Sequence, residues 1–223
     1  MEIFKKEVLE NHAGELFLEF SASELAQVGW SENDTIEWTE VEGGYALSVK
    51  EDSLQVFKVH QDATTPSFAT SGAAGFDISA CLAEGTIVSG FNKKNEGVSI
   101  KVHEASEFVQ IEPGTRLLIP TGLIFDIPEG HVLKVFPRSG LSLKKGLTLS
   151  NNVGIIDHDY VHECYVILEN TSEVPVTIEH GERIAQGTLE KLSKYKLETT
   201  DERPTERNSS RTGGFGSTGT KSA

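Results

Sequence analysis

Short apolar runs alternate with turn residues along most of this chain. After residue 64 the runs are brief, and glycine- and proline-containing turns at 120–122 and 128–130 separate neighbouring ones. The strand-like runs are at 87–88, 98–102, 117–119, 123–125, 132–136 and 165–168. This spacing predicts a mainly β domain of the sandwich or jelly-roll barrel kind, with one short helix at 141–145.

The first fifty residues have a pattern of their own. Ser21 and Glu24 have the spacing of a capping box, and the short helix that they begin is expected to end at Gly29. The Gly43-Gly44 pair between two alternating segments predicts a β-hairpin. We therefore expect a small β domain at 1–52, a connector at 53–63, a β-barrel domain at 64–198 and a polar, flexible tail at 199–223.

Charge and cysteine content narrow the functional classes. The net charge is −14, and residues 1–50 carry 11 acidic and three basic side chains. A nucleic-acid-binding protein needs a basic face, so we do not expect nucleic acid as a partner. The N-terminus has no signal-peptide pattern and no segment reaches membrane-spanning length. The two cysteines are expected to be reduced thiols in a cytoplasmic protein.

Five segments place reactive groups beside turns. Asp77 lies in an apolar strand and needs a partner there. Arg138 and Ser139 at the start of a helical turn suit a phosphate. Residues 154–160 put two carboxylates and a tyrosine at the end of an apolar run, 181–186 read as a turn and a strand, and 211–219 form a glycine-rich nest. Each segment alone is more often a plain turn, a solvated acid or a linker.

Together and in this order, the five segments resemble the signature motifs of the trimeric dUTPase family. The resemblance covers about residues 64–219, and its most specific parts are 137–141 and 213–219. It implies a homotrimer of jelly-roll β-barrels that hydrolyses dUTP to dUMP and pyrophosphate. In such an enzyme water attacks the α-phosphorus in the presence of Mg²⁺.

The resemblance also implies a role for individual residues. Asp157 matches the catalytic base, Asn151 the uracil-binding asparagine and Tyr160 the ring that packs on the deoxyribose. Asp77 matches an acid that reaches Mg²⁺ through water, and Phe215 an aromatic that closes over the uracil. The other implied substrate contacts are Arg138, Ser139, Gly140, Gly154, Ile156, Gln186, Arg211, Gly216, Ser217 and Thr218.

Three features depart from the family pattern. His162 stands where the family usually has glycine, and Arg211 lies four residues before Phe215 where the family often has five. Residues 1–50 are an addition, and they resemble the swapped-hairpin domain of bacterial transition-state regulators and antitoxins. Such domains pair by interleaving strands, so we expect them to join two trimers into a hexamer.

Two alternatives remain at the level of sequence. A dCTP deaminase of the same fold would carry a glutamate where this chain has Ile167, and it would lack the glycine-rich segment at 213–219. A regulatory protein that uses the same fold to bind a repressor or DNA through residues 1–50 would not need an intact set of five motifs.

Overall fold

The computed structural model describes residues 6–32, 34–50, 52–102 and 107–202. By its internal contacts the chain divides into one unit at 1–191 and another at 192–223. In the second unit, the described residues 192–202 form neither a helix nor a strand. Within the described ranges, no helix combines the length and apolarity that crossing a bilayer requires.

The N-terminal segment forms the helix and hairpin that its sequence predicts. Ser21 caps the helix by accepting a bond from the Glu24 N–H, and the Glu24 carboxylate accepts one from the Ser21 N–H at 2.8 Å. Gly29, with φ of 74°, ends the helix in the left-handed region. The elements are β1 (Leu9–Glu10), β2 (Leu16–Phe17), α1 (Ala22–Val28), β3 (Ile36–Val41) and β4 (Gly44–Val49).

The larger part of the first unit is built almost wholly of strands. Its single described helix is α2 (Ser139–Lys145), which Gly146 ends at φ of 64°. The strands are β5 (Gln55–Lys58), β6 (Ser67–Phe68), β7 (Phe76–Ser79), β8 (Ile87–Phe91), β9 (Gly97–Lys101), β10 (Phe108–Ile111), β11 (Arg116–Pro120), β12 (Leu123–Asp126), β13 (His131–Pro137), β14 (Leu147–Leu149), β15 (Gly154–Ile156), β16 (Tyr165–Asn170), β17 (Val176–Glu179) and β18 (Arg183–Lys191).

Two five-stranded antiparallel sheets contain most of these strands. Their orders are β14-β16-β11-β8-β9 and β15-β13-β18-β7-β6, and two-stranded ladders join β10 to β17 and β12 to β5. Leu117 and Ile119 of one sheet and Ile78 and Leu133 of the other are buried in the same apolar core. The mainly β prediction is confirmed, although none of the described sheets closes on itself.

The segment expected to be a connector also contributes to a sheet. Strand β5 lies inside 53–63 and pairs with β12, so that Val56 is opposite Phe125. Val56 packs against the core, whereas the next residue, Phe57, is exposed. Strand β5 was not predicted from the sequence, because the run is short and is flanked by polar residues, so the pattern of apolar and polar positions is too brief to indicate a strand.

Candidate active site

A cavity of about 280 Å³ beside β15 gathers the residues that the sequence assigns to the base, the sugar and catalysis. Its apolar wall includes Val135 and Leu149, and the outer face of the β11–β16 ladder adds Leu118, Tyr165 and Ile167. Five of the predicted site residues line it: Asn151, Gly154, Ile156, Asp157 and Tyr160.

The backbone around Asn151 is tightly folded. The Val153 N–H donates to the Asn151 carbonyl at 2.6 Å, and Asn152 adopts a positive φ of 60°. A Cβ on Gly154 would lie 3.2 Å from the Val135 Cβ and 3.7 Å from the Asn151 amide nitrogen. A side chain at residue 154 would therefore crowd both the strand beneath it and the amide that faces the cavity.

Asp157 and Tyr160 lie on the turn that follows β15. The Tyr160 N–H donates to the Asp157 carbonyl at 3.1 Å, and the Tyr160 hydroxyl donates to the Glu163 carbonyl at 3.0 Å. Both side chains are solvent-accessible at the cavity mouth. An exposed carboxylate next to a cavity can reach a water molecule that is bound there, which general-base chemistry requires.

A second group of predicted residues surrounds Asp77. This carboxylate is 7% exposed, and it accepts bonds from Arg138 Nε at 2.9 Å and from Arg183 Nη1 at 2.9 Å. Arg138 Nη1 also donates to the Arg183 carbonyl at 3.0 Å. Gln186 is the register partner of Asp77 across β7 and β18. The buried Asp77 carboxylate is thus paired with cations, as expected for an acid in an apolar strand. It holds the two guanidinium groups side by side.

Ser139 and Gly140 form the first turn of α2, directly after Arg138. Arg138 is the N-cap with an extended backbone, and both following residues are exposed. The first N–H groups of a helix have no acceptor within the helix, so they remain available to an external oxygen. Backbone and side-chain donors therefore converge at this end of β13.

The two groups lie at opposite ends of β13. Ile156 is opposite Leu133, so Asp157 follows at the level of Val132, whereas Arg138 comes directly after Pro137. Six residues of extended strand span roughly 20 Å. A catalytic base and a phosphate-binding guanidinium must each lie about 3 Å from atoms of one triphosphate, so a single chain does not bring Asp157 and Arg138 together.

Two residues of the site were not predicted from sequence. Arg183 lies in the segment 181–186, but its bond to Asp77 depends on the pairing of strands 106 positions apart. Glu163 accepts bonds from the Gly122 N–H at 2.7 Å and the Tyr165 hydroxyl at 2.8 Å, and this contact raises the pKa of Tyr165 to about 12. For Arg183, the one signal in the sequence was that Asp77, an acid in an apolar strand, needs a cationic partner.

Some predicted residues lie outside the described part of the chain, namely Arg211, Phe215, Gly216, Ser217 and Thr218. Among the described residues, no group of three or more His, Cys, Asp or Glu side chains is arranged to hold a metal ion. Asp77 is therefore the one predicted metal contact that the structure describes.

Comparison with known proteins shows which family the chain resembles. The family model described as dUTPase matches residues 97–219. The deoxyuridine 5'-triphosphate nucleotidohydrolase of Hydrogenobaculum sp. is 39% identical over 168 residues, which are 75% of this chain and 99% of that protein. The enzyme of the same name from Caulobacter vibrioides is 38% identical over 159 residues, or 71% of this chain and 87% of that protein.

A solved structure is similar as well. The dUTPase of Staphylococcus bacteriophage 80alpha, determined with dUPNHPP, superposes with a TM-score of 0.58 at 25% identity. The match covers 76% of this chain and all of that one. From the family match, these identities and the shared fold, the chain belongs to the dUTPase family.

Proposed function

We propose that this protein is a dUTP diphosphatase that converts dUTP to dUMP and pyrophosphate. The observation that carries the proposal is the single cavity that holds Asn151, Asp157 and Tyr160 in a chain of the dUTPase family. These three side chains supply a base-reading amide, a proton acceptor and an aromatic ring, which are the groups that a deoxynucleotide hydrolase needs.

The chemical step uses Asp157 as general base. Its carboxylate accepts a proton from a bound water while the water oxygen attacks the α-phosphorus. The bond from that phosphorus to the bridging oxygen breaks, and pyrophosphate leaves with the bonding electrons. The Asp157 side chain is exposed at the cavity mouth, where it can reach the attacking water.

Recognition of the nucleoside follows from the size and polarity of the cavity. The Asn151 amide and the backbone at Gly154 and Ile156 offer donors and acceptors to the edge of uracil. Cytosine would leave these groups unpaired, which costs far more than a poor fit between apolar surfaces. Thymine carries an additional methyl group, which a cavity of about 280 Å³ fitted to uracil would exclude by volume. The Tyr160 ring would pack on the deoxyribose and leave no room for a 2'-hydroxyl.

Phosphate binding is assigned to the other end of β13. Arg138 and Gln186, with the first turn of α2 at Ser139 and Gly140, would contact the triphosphate. Arg183 joins this set because its guanidinium and that of Arg138 both donate to the Asp77 carboxylate. By resemblance, Arg211, Phe215, Gly216, Ser217 and Thr218 add further contacts to the substrate.

Mg²⁺ is assigned as the cofactor, held mainly by phosphate oxygens and water. The Asp77 carboxylate already accepts two guanidinium bonds, but two oxygens can accept about four in all. Its surroundings therefore fit a contact with a metal-bound water and do not fit direct ligation. When bound, Mg²⁺ would neutralise the phosphates and polarise the α-phosphorus.

The separation along β13 supports a homotrimer with shared sites. If Asp157 comes from one subunit, the phosphate end must come from a neighbour. A suitable surface borders the cavity, because Leu118 pairs with Ile167 on the outer face of the β11–β16 ladder and Tyr165 lies beside them. This exposed apolar face would be covered by the neighbouring subunit.

Residues 1–52 are proposed as a separate swapped-hairpin domain, joined through 53–63 to the barrel at 64–198. None of the described residues from 6 to 50 is buried. On the β3–β4 hairpin, Ile36 pairs with Val49 and Trp38 with Leu47, so one face is apolar, and Trp38 is 59% exposed. An isolated two-stranded hairpin is marginally stable at best. A second copy would cover this face and join two trimers into a hexamer.

Two experiments test these proposals. Purified protein is incubated with Mg²⁺ and dUTP, dCTP, dTTP or UTP, and the release of pyrophosphate and ammonia is measured. Pyrophosphate from dUTP alone is expected, and ammonia from dCTP with dUTP left intact would identify a deaminase. Sedimentation then compares the full chain with residues 53–223, which keep strand β5 and its pairing with β12. A hexamer and a trimer are expected, and equal trimers would refute the role of the N-terminal domain.

The protein is proposed to act in the cytoplasm and without nucleic acid. Cys81 and Cys164 are both buried free thiols, as a reducing compartment allows. The 11 acidic and three basic side chains of residues 1–50 would repel a phosphate backbone. A shift of labelled duplex DNA at low salt that disappears when residues 1–50 are removed would contradict this assignment.

A further inference from the structure

A second ring lies against Tyr160 at the mouth of the cavity. The His162 and Tyr160 ring centroids are 5.6 Å apart, with the ring planes at 82°. This edge-to-face arrangement is a favoured geometry for two aromatic rings. The two side chains lie two positions apart on the turn that follows β15.

The Tyr160 hydroxyl is also held by a hydrogen bond, and the segment that accepts this bond is itself fixed by several contacts. The hydroxyl donates to the carbonyl of Glu163 at 3.0 Å. The Glu163 carboxylate is fixed by the Gly122 N–H at 2.7 Å and by the Tyr165 hydroxyl at 2.8 Å. The next residue, Cys164, is buried, and its N–H donates to Leu123 at 2.8 Å. The tip of the Tyr160 ring is thus tied to a segment that is anchored in the core.

A bond at the tip alone leaves the ring free to swing about the line from Cβ to the hydroxyl. Tyr160 is 40% exposed, so the solvent side offers no wall against this motion. The His162 ring supplies a lateral contact, which opposes this rotation in addition to the bond at the hydroxyl. A wall that excludes a hydroxyl by volume works only while it stays in place, and such walls discriminate by only about 10²-fold.

We infer that His162 is a positioning residue that fixes the Tyr160 ring and thereby increases the preference for deoxyribose over ribose. The inference rests on the proposed function, in which Tyr160 packs on the sugar. It concerns the packing of the ring and not its charge. A side chain that keeps an aromatic ring at residue 162 should therefore preserve the preference, whereas a small side chain should weaken it.

Three variants of the full-length protein separate these effects. His162→Ala removes the ring and keeps an ordinary backbone, and His162→Phe keeps an aromatic ring without a titratable group. Val161→Ala is the matched control, because its side chain is 67% exposed on the same turn and adds no ring. For each protein, kcat/KM is measured with dUTP and with UTP, and the melting temperature reports folding.

The expected result is specific to the sugar. His162→Ala should lower the dUTP-to-UTP ratio of kcat/KM by about 2- to 10-fold, the size of one aromatic edge-to-face contact. His162→Phe should restore the ratio, and Val161→Ala should leave it unchanged. A ratio that stays at the wild-type value in His162→Ala, or a loss in His162→Phe equal to that in His162→Ala, would overturn the inference.

The same measurements keep this inference distinct from the proposed function. If the wild-type protein releases no pyrophosphate from dUTP, or uses UTP equally well, the proposed function fails. If the wild type prefers dUTP and His162→Ala retains that preference, only the role of His162 fails. If His162→Ala lowers kcat/KM for dUTP and for UTP by the same factor, the substitution affects the turn in general, and this result would also count against the inference.

Discussion

Two inactive variants should restore activity to each other when their subunits mix. Asp157→Asn removes the proposed base, and Arg138→Gln removes a proposed phosphate contact while Asp77 keeps its bond to Arg183. The register of β13 and β15 puts Asp157 and Arg138 roughly 20 Å apart in one chain. If each site takes Asp157 from one subunit and Arg138 from the next, the mixed oligomer contains some intact sites.

The size of the recovery follows from random assembly. In an equal mixture, half of the subunits keep Asp157 and the other half keep Arg138. A shared site is intact only when one kind of subunit follows the other in the required order, so about a quarter of the sites should be active. Each variant is unfolded in urea, the two are refolded separately or together, and pyrophosphate release from dUTP is measured.

A second mixture provides the control. When wild-type protein is refolded with an equal amount of the Asp157→Asn, Arg138→Gln double variant, about a quarter of all sites in the mixture should be active if the sites are shared. About half of all sites should be active if each chain forms its own. Shared sites are refuted if the two single variants together remain as inactive as either alone while half of all sites in the control mixture are active. Similar sedimentation of all refolded samples is required for the comparison.

Three further predictions follow from the chemistry of single groups. Asp157→Asn should lower kcat by about 10²–10⁴-fold with nucleotide binding retained, as loss of a general base does, and Asp159→Asn should stay within a few-fold; equal losses would place the base elsewhere. Burial raises the pKa of Cys164 to about 12, so iodoacetamide at pH 8 should modify it only after unfolding, and rapid labelling of the native protein would contradict this. The Lys6 ammonium and the bonds from Ser21 lower the pKa of Glu24 to about 2 from 4.5, so its contribution to folding should be complete above pH 4.5 and disappear as the pH falls toward 2. Both tryptophans lie within residues 1–50, so their fluorescence should report that loss, and a Glu24→Gln variant should show no such pH dependence.

Much of the fold was predictable because its signals are local. The short apolar runs at 117–119 and 132–136 identify strands, and the capping box at Ser21 and Glu24 together with Gly29 fixes both ends of α1. Each of these signals is read from neighbouring residues. Of the five motifs, the segment 154–160 lies beside the cavity at β15, where Gly154, Ile156, Asp157 and Tyr160 form part of the lining.

The features that could not be predicted depend on contacts between segments that are distant in the sequence. The bond from Arg183 to Asp77 requires the register of β7 against β18, and no local pattern reports it. The contact between the His162 and Tyr160 rings could not be predicted either, because it depends on the backbone path of the turn after β15. Residues 1–50 show the opposite case, because their apolar pattern is that of a small core, yet none of their described residues is buried within this chain. In the proposed hexamer a second copy would bury these residues, and a single sequence does not display such a contact.

The charges at the phosphate end explain why a triphosphate would need more than the described side chains. Arg138 and Arg183 carry two positive charges and Asp77 cancels one, so this cluster offers a net charge of about +1 to a ligand with several negative charges. The chain as a whole carries −14 and would repel such a ligand. At physiological ionic strength, however, charges more than about 8 Å away are largely screened. Binding therefore depends on local cations, and the proposed Mg²⁺ together with Arg211 would supply the positive charge that Asp77 removes.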